Sequence, residues 1–180
     1  MDYIRLSKEI SYILRHNPAK YNITLDERGY CNINDLLDVL SKKYNQNITL
    51  ADILYILDNS DKKRYEIKNN MIRAYYGHTI DDTILYDKVI APDILYHGTS
   101  HEALESILEF GILSMNRQYV HLSKTIDMAV AVGMRRDKNP VIIKIDAHAM
   151  QEDGISFYSG ENGVFLTEYV DIKYIISHRL

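Results

Sequence analysis

The chain has 180 residues, of which 46% are hydrophobic and 26% are charged, with eight glycines and three prolines. These values are typical of a globular protein of one or two domains and exclude a long disordered tract. The formal net charge of -4 excludes a uniformly basic surface, so a nucleic acid would have to be bound by a local cluster of basic residues.

No apolar stretch approaches the roughly 18 residues that a membrane-spanning helix needs, and the first residues lack the pattern of a signal peptide. We therefore expect a cytoplasmic protein with no membrane partner. Cys31 is the single cysteine, which excludes an intramolecular disulfide and a cysteine-rich zinc site. A buried structural thiol is the expected role of Cys31.

Residues 1–88 predict three short helices. Apolar residues recur at helical spacing from Leu6 to Leu14, and Asn17-Pro18 ends that run. The predicted N-caps are hydroxyl or amide residues near the start of each apolar run: Ser7, Asn34 and Thr49. Asp52 stands three residues after Thr49, at the spacing of a capping box.

A turn, a β-hairpin and a linker complete the first half. Residues 26–29 predict a turn, and residues 64–67 and 71–76 have the composition of two strands. Lys68-Asn69-Asn70 lies between the two strands and predicts a hairpin turn, because asparagine tolerates a positive φ. Three helices followed by a hairpin describe a winged-helix-like lobe, and residues 81–93 are the predicted linker.

Residues 89–180 predict a second lobe in which strands outnumber helices. Residues 94–96 form a predicted strand, followed by a helix that Ser100 caps and Gly111 ends. Thr125 is the predicted N-cap of a second helix through Met134. Four further predicted strands lie at residues 119–122, 141–145, 163–167 and 172–176. Two helices among at least five strands indicate an α+β lobe with a mostly antiparallel sheet.

The sequence lacks the common nucleotide and metal motifs. It contains no G-x-G-x-x-G and no G-x-x-x-x-G-K-[ST], so a Rossmann site and a P-loop find no support. The seven histidines do not follow a known metal-ligand spacing, and we expect no metal. No G-x-S-x-G elbow supports a serine nucleophile, although a Ser-His-Asp site stays open.

Short polar clusters at the ends of predicted elements are the remaining candidates for chemistry: Arg15-His16, Lys63-Arg64, Gly77-His78, His97-Gly98-Thr99, Arg117, His121-Leu122-Ser123 and Arg135-Arg136. Each has a structural alternative. A helix dipole favours basic residues at its C-terminus, a glycine before a helix can simply form a turn, and a histidine in an apolar strand can be a hydrogen-bonded core residue. Taken singly, no cluster decides between these alternatives.

In chain order, these clusters resemble the RNA 2'-phosphotransferase family, whose eukaryotic members complete tRNA splicing and which has bacterial relatives. The resemblance covers most of the chain. It rests on nine motifs in register: Leu6-Ser7-Lys8 with Tyr12-Ile13-Leu14-Arg15-His16, Arg28-Gly29-Tyr30, Lys63-Arg64-Tyr65, Ile72-Arg73-Ala74 with Gly77-His78, Leu95-Tyr96-His97-Gly98-Thr99-Ser100, Gly111-Ile112-Leu113, residues 115–123, Gly133-Met134-Arg135, and residues 162–167.

The resemblance implies a winged-helix-like RNA-binding lobe over residues 1–88 and an ADP-ribosyltransferase-like NAD-binding lobe over residues 89–180. NAD would be consumed as a co-substrate, the partner would be an RNA with an internal 2'-phosphate, and the protein is expected to be a monomer. The implied catalytic residues are Arg15, His16, Arg64 and Arg117. The implied NAD contacts are His97, Gly98, Thr99, His121, Ser123 and Arg135. Contacts to the RNA or its phosphate are implied for Lys63, Arg73 and His78.

The implied reaction has two steps. The RNA 2'-phosphate displaces nicotinamide from NAD, and a ribose hydroxyl then attacks the phosphorus, which releases 2'-hydroxyl RNA and ADP-ribose 1'',2''-cyclic phosphate. Val164 falls where protein-modifying ADP-ribosyltransferases often place a catalytic glutamate. This chain also departs from the family pattern at Tyr119, at Tyr75-Tyr76 and at Thr79, where the family often has histidine, an Asn-Gln or similar pair and serine, respectively.

Two alternatives stay open. The first is a mono-ADP-ribosyltransferase that modifies protein or a nucleic-acid end, with Glu161 or Glu168 as its carboxylate. The second is a non-enzymatic winged-helix regulator that senses NAD or ADP-ribose. The second alternative leaves the ordered set of three arginines and one histidine unexplained.

Overall fold

The computed structural model describes residues 2–60 and 63–179, the last of them without its side chain. The chain divides into two compact units, Met1–Leu85 and Tyr86–Leu180, and each has a hydrophobic core of its own. The first unit ends at residue 85, before the expected residue 88, because Lys88–Val89 forms a strand that pairs within the second unit.

The first unit combines helices with a small antiparallel sheet. Its elements are α1 (Tyr3–His16), a 3-10 turn (Ala19–Tyr21), β1 (Tyr30–Asn32), α2 (Ile33–Tyr44), α3 (Leu50–Asn59), β2 (Tyr65–Lys68) and β3 (Met71–Ala74). The strand order is β1-β3-β2, and both pairings are antiparallel. The sequence does not predict β1, which becomes a strand through its long-range pairing with β3.

Helix α1 buries one apolar stripe, which includes Leu6, Ile10 and Leu14. The predicted N-cap at Ser7 is wrong. Asp2 is the N-cap, and its carboxylate accepts a hydrogen bond of 3.0 Å from the N–H of Arg5. Ser7 lies inside α1 and is buried, because the helix begins one turn earlier than the apolar run suggests.

Of the N-caps predicted for the other two helices, Thr49 is correct and Asn34 is two residues too late. Thr49 and Asp52 form the predicted capping box of α3. The N-cap of α2 is Asn32 and not Asn34, since the Asn32 side chain accepts a hydrogen bond of 2.9 Å from the N–H of Asn34. Both residues are asparagines two positions apart, so the local pattern alone does not distinguish them.

The predicted hairpin is present, with its first strand shifted by one residue and its second strand two residues shorter. Asn69 and Asn70 turn the chain with φ values of 50° and 60°, as the amide side chains allow. Cys31 lies opposite Ile72 in the same sheet and is 2% exposed, which confirms the buried thiol. Burial raises the pKa of the Cys31 thiol to about 12, so this group is an unreactive core residue.

The second unit is built on a seven-stranded sheet. Its elements are β4 (Lys88–Val89), β5 (Ile94–Thr99), α4 (His101–Phe110), β6 (Ile112–Leu113), β7 (Val120–Ser123), α5 (Ile126–Gly133), β8 (Val141–Asp146), α6 (Ala147–Glu152), β9 (Phe157–Ser159), β10 (Val164–Thr167), β11 (Tyr169–Val170), a 3-10 turn (Ile172–Tyr174) and β12 (Ile175–Arg179). The strand order is β12-β8-β5-β7-β10-β9-β4, and β6 pairs with β11 separately.

All strand pairings in the described residues are antiparallel, so the predicted α+β class with mostly antiparallel sheets is confirmed. Two details of the second lobe were wrong. Its described part holds a third short helix, α6, which Asp146 caps. The predicted strand at residues 172–176 begins as a 3-10 turn, because Asp171 accepts the N–H of Lys173 and starts that turn.

None of the helices in the described ranges is both long and apolar enough to cross a bilayer.

Candidate active site

Three of the four predicted catalytic residues converge in the first unit. Arg15 and His16 end α1, where the negative end of the helix dipole favours positive charge. The Nη2 atom of Arg15 donates a hydrogen bond of 3.0 Å to the backbone carbonyl of Arg64, 49 residues away in the sequence. Arg64 in turn donates through Nη1 to the hydroxyl oxygen of Ser7 at 3.5 Å.

The segment after the hairpin holds this arrangement together. The N–H of Tyr75 donates to the carbonyl of Arg64 at 3.1 Å, and the N–H of Thr79 donates to the carbonyl of Arg15 at 3.0 Å. Between them, Gly77 has a φ of +89°, a conformation that favours glycine. This turn holds the C-terminus of α1 beside Arg64, the residue that precedes β2.

Thr79 also orients His16, a role that the sequence does not predict. The Thr79 hydroxyl lies 2.9 Å from His16 Nδ1, and the two residues are 63 positions apart. Tyr76 places its ring near the Arg15 guanidinium, 5.7 Å from ring centroid to Cζ. The motif around Gly77-His78 was the one signal in the sequence that marked this segment.

His78 lies in the same cluster and is buried, with 2% of its surface exposed. Burial, followed by the nearby charges of Arg15, His16 and Arg73, lowers the pKa of His78 to about 3. The imidazole is therefore neutral at physiological pH. Burial is the larger cause and disfavours any charge, whereas the smaller contributions of Arg15, His16 and Arg73 reflect positive charge in the cluster.

The other two predicted RNA contacts lie differently. Lys63 is exposed in the segment before Arg64. Arg73 on β3 pairs through Nε with Glu66 at 2.6 Å and lies 4.7 Å from the ring centroid of Tyr30. These contacts give Arg73 a structural role in the sheet, and its contact with RNA stays a prediction, as does that of Lys63.

In the second unit, the central strands part around His97. In the described chain β5 and β7 share a single register pair, Tyr96 opposite Ser123. Beyond that pair, the side chain of His97 replaces the missing backbone contact, and its Nδ1 atom donates to the carbonyl oxygen of His121 at 3.2 Å. This hydrogen bond links His97 directly to His121, and both residues are predicted NAD contacts.

Arg117 joins this group through a short hydrogen bond. Its Nη1 atom donates to Nδ1 of His121 at 2.6 Å. The backbone N–H of Arg117 donates separately to the carbonyl of Ser114. Desolvation by the surrounding protein, with the charge of Arg117 contributing, lowers the pKa of His97. The second cluster therefore combines one fixed cation with a neutral His97.

Val164, the position at which a transferase glutamate would be expected, belongs to a row of paired residues that crosses three adjacent strands. Val164 on β10 is opposite Ser123 on β7, and Ser123 is opposite Tyr96 on β5. Paired residues on adjacent strands point to the same face, so these three side chains are neighbours. Glu161 lies in the turn before β10, where its carboxylate accepts from the Ser159 hydroxyl at 3.3 Å.

Glu168, the other candidate carboxylate, is exposed between β10 and β11 and also lies off this row. Tyr119, where the family often has histidine, is buried between the rings of Tyr86 and Tyr158, at centroid distances of 5.6 and 5.5 Å. That substitution therefore extends an aromatic cluster and adds no charge to the site.

Gly98 has a packing role that the sequence does not reveal. A Cβ atom at Gly98 would lie 1.9 Å from the backbone oxygen of Ala129, because α5 packs directly on β5. Thr99 and Ser123 are buried at 9% and 5% exposure. Arg135 is exposed in the loop after α5, and its contact with NAD stays a prediction.

Within residues 2–60 and 63–179, no group of three or more His, Cys, Asp or Glu side chains is arranged to hold a metal ion. Each cluster is instead made of arginine and histidine, whose N–H groups suit phosphate and hydroxyl oxygens.

Comparisons with known proteins agree with the motifs. A family model described as "RNA 2'-phosphotransferase, Tpt1 / KptA family" matches residues 2–169. A probable RNA 2'-phosphotransferase from Acetivibrio thermocellus is 42% identical over 176 residues, which cover 97% of each chain. One from Bacillus thuringiensis subsp. konkukian is 41% identical over 96% of this chain and 94% of its own.

A third relative gives the same result: probable RNA 2'-phosphotransferase 1 from Archaeoglobus fulgidus is 40% identical over 95% of this chain and 79% of its own. The match extends through both units and includes every residue of the two clusters. The resemblance noted from the motifs is thereby confirmed, and the chain belongs to the RNA 2'-phosphotransferase family described as Tpt1 / KptA.

Proposed function

We propose that this protein removes an internal 2'-phosphate from RNA and transfers it to the ADP-ribose part of NAD. The observation that carries the proposal is the convergence of Arg15, His16 and Arg64 from distant points of the sequence. The products would be 2'-hydroxyl RNA, ADP-ribose 1'',2''-cyclic phosphate and nicotinamide.

The cluster of the first unit suits a phosphate monoester. Such a phosphate is mostly dianionic at neutral pH, because its second pKa is about 6. Arginine binds phosphate oxygens with two parallel N–H donors, and both Arg15 and Arg64 are oriented by contacts of their own. Burial is the main cause of the low pKa of His78, and the charges of Arg15, His16 and Arg73 add to it, which supports a cluster with positive charge.

We further propose that the first unit is a winged-helix-like RNA-binding lobe and the second an ADP-ribosyltransferase-like lobe that binds NAD. His97 suits the nicotinamide-riboside end of NAD, because it is neutral and held through one ring nitrogen, whereas the cation of Arg117 suits phosphate oxygens. Thr99, His121 and Ser123 complete the proposed contacts. Gly98 would contribute by letting α5 approach β5.

NAD supplies an activated ribose carbon with nicotinamide as its leaving group. Arg15 and Arg64 would orient the RNA phosphate, so that one of its oxygens forms the bond to that carbon as the bond to nicotinamide breaks. In the second step the neighbouring ribose hydroxyl bonds to phosphorus, and the RNA 2'-oxygen leaves and takes up a proton. The charge on the phosphoryl oxygens peaks in that step, where Arg15, Arg64 and Arg117 would stabilise it.

Val164 distinguishes this proposal from mono-ADP-ribosylation of protein. A transferase that activates a weak nucleophile needs a carboxylate near NAD, whereas a phosphate dianion is already nucleophilic. The row of Tyr96, Ser123 and Val164 offers no carboxylate, and Glu161 and Glu168 lie off it. If Glu168→Gln abolished all NAD turnover, the rival activity would be favoured.

The deciding assay combines the purified protein, NAD and a short RNA that bears one internal 2'-phosphate. We expect nicotinamide, the cyclic phosphate and dephosphorylated RNA in equal amounts. The same RNA without the phosphate is the control and should release no nicotinamide. A folded protein that released none from the phosphorylated RNA would refute the proposal.

Single arginine variants test the division of roles. Arg64→Ala and Arg117→Ala should slow the second step by roughly 10²- to 10³-fold and leave ADP-ribosylated RNA to accumulate. Arg5→Ala, an exposed arginine outside all of the candidate clusters, is the matched control and should behave as the wild type. Equal loss of both steps in Arg64→Ala and Arg117→Ala would contradict the assignment of these residues to the phosphoryl charge.

A further inference from the structure

A groove between α1 and α3 in the first unit is not used by the proposed chemistry. Its cavity volume is about 480 Å³, within the range of sites that hold small molecules. Tyr3 and Ser7 from α1, Tyr55 and Asn59 from α3, and Arg64 are among its lining residues. The groove therefore reaches from an aromatic surface to one of the proposed catalytic arginines.

Two tyrosines form the aromatic surface. The rings of Tyr3 and Tyr55 lie 4.5 Å apart between centroids at an angle of 38°. The Tyr3 hydroxyl donates to Asp52 at 3.1 Å, and Asp52 is fixed by the capping box of α3. Tyr55 is 50% exposed. A held ring beside a half-exposed ring is the arrangement on which single-stranded RNA bases stack.

Polar groups border the same groove. The Asn59 amide donates through Nδ2 to the carbonyl of Tyr55 at 2.9 Å, which orients the carboxamide. A carboxamide keeps both a donor and an acceptor for the edge of a base, and the neighbouring Ser60 adds a hydroxyl. An aromatic surface with a small number of oriented polar groups matches a nucleobase better than a fully apolar ligand.

Arg64 connects the groove to the phosphate cluster. Its Nη1 atom lies 3.5 Å from the Ser7 hydroxyl, and both residues line the groove. A 2'-phosphate and the bases on either side of it lie within one nucleotide of each other. A phosphate held by Arg64 would therefore bring a neighbouring base within reach of Tyr55.

We propose that this groove binds an unpaired base of the RNA substrate, within one nucleotide of the 2'-phosphate. The inference rests on the proposed function, because it takes the phosphate to be held by Arg64. The adenine of NAD has similar chemistry, but the groove includes Arg64, which is proposed to hold the RNA phosphate. RNA is thus the favoured source of the base.

Binding titrations test the proposal without turnover. The probe is a fluorescently labelled short RNA with one internal 2'-phosphate, and its anisotropy gives the Kd. Tyr55→Ala should raise the Kd by about 5- to 150-fold, the effect of losing one base–aromatic stack. Tyr55→Phe keeps the ring and is the matched control, with an expected Kd near that of the wild type.

A second arm identifies the ligand group. RNAs with an abasic site at, before or after the phosphorylated nucleotide should bind the wild type more weakly at one of these positions. The same abasic RNA should bind Tyr55→Ala no more weakly than intact RNA does, because the stack is already lost. Circular dichroism and a thermal melt check that each variant is folded.

The proposal would be overturned if Tyr55→Ala bound intact RNA as tightly as the wild type, or if no abasic position weakened wild-type binding. A raised Kd for NAD with an unchanged Kd for RNA would assign the groove to adenine and would also overturn it. Failure of the proposed function would look different: the wild type would release no nicotinamide, whatever the binding of the labelled RNA.

Discussion

The imidazole of His16 depends on a residue far from it in sequence. Arg15 and His16 end a helix, but the direction of the His16 ring is fixed by the Thr79 hydroxyl at 2.9 Å from Nδ1. Threonine and serine provide this hydroxyl equally well, which explains how Thr79 can replace the serine often found there in the family. Thr79 is therefore a positioning residue, and its effect should pass through His16.

Thr79→Val removes that hydrogen bond and keeps the shape of the side chain. We expect kcat/KM for phosphorylated RNA to fall by roughly 2- to 10-fold, the value of one neutral hydrogen bond, with an altered pH profile of kcat because His16 is less well held. Thr79→Ser is the control and should keep both. A normal rate and pH profile in Thr79→Val would remove Thr79 from the site.

His78 should make the stability of the fold depend on pH. Its folded pKa of about 3 lies below the ordinary value of 6.5, so between these values the unfolded chain binds the proton and the folded chain does not. The free energy of unfolding should be highest above pH 6.5 and should fall as the pH drops toward 3, by up to about 1.4 kcal/mol per pH unit.

Urea denaturation of the wild type and of His78→Gln over this pH range measures the effect. The difference between their unfolding free energies should shrink as the pH falls, since the variant has no imidazole to protonate. Parallel pH curves for the two proteins would show that the pKa of His78 is the same in the folded and unfolded states, contrary to its buried position beside Arg15.

The candidate site residues could be predicted from the sequence, but the residues that orient them could not. Arg15, His16 and Arg64 belong to short motifs and are found by inspection, whereas Thr79 is identified as a support only when residues 63 positions apart meet. Gly98 shows the same limit. As one residue of His97-Gly98-Thr99 it suggests an approach to a ligand, and the structure shows it against the backbone of Ala129.

At the scale of elements, the contact between α5 and β5 shapes the second cluster. Gly98 and Gly133 are both at this contact, and a Cβ on Gly133 would lie 2.4 Å from the Cβ of Pro140. Two missing side chains let the helix lie directly on the strand that carries His97. The position of His97 therefore depends on the lack of a side chain at Gly98, on the strand that packs beneath α5.

Gly98→Ala should separate α5 from β5, because the blocking atom is a backbone oxygen that no rotamer change can move. We expect a loss of about 3 kcal/mol in the free energy of unfolding, near the upper end for overpacked sites. Gly154→Ala is a control: its φ is +81° and no atom lies within 4 Å of the added carbon, so about 1 kcal/mol is expected. Similar losses in both variants would contradict the close packing.

Elements defined by nearby residues were predictable, and elements defined by distant partners were not. The capping box of α3 and the Asn69-Asn70 turn need only a few consecutive residues, and both are present. Strands β1 and β4, of three and two residues, are too short for a periodic pattern and exist because β3 and β9 pair with them. Residues 172–174 are an exception, because a local cap by Asp171 starts a 3-10 turn where the composition predicts a strand.

At the scale of the whole molecule, the charge of -4 limits how RNA is bound. Attraction must come from the few basic residues of the first cluster and not from a basic surface. With about three cationic contacts to a single strand, the logarithm of the binding constant should fall with the logarithm of salt concentration with a slope of roughly −2. Anisotropy titrations at several salt concentrations measure this slope, and a value steeper than about −5 would indicate an extended basic surface instead.

The two hydrogen bonds around His121 also decide where the protons of two histidines reside. His121 accepts from Arg117 at Nδ1, so a neutral His121 carries its hydrogen on Nε2 and can only donate there. His97 donates from Nδ1 to the His121 carbonyl, so its Nε2 carries the lone pair and can only accept. The two rings thus have opposite polarity at Nε2, and in the proposed NAD site a group that contacted both would offer an acceptor to His121 and a donor to His97. A ribose, whose adjacent hydroxyl groups can do both, satisfies that requirement, whereas a purely anionic ligand does not.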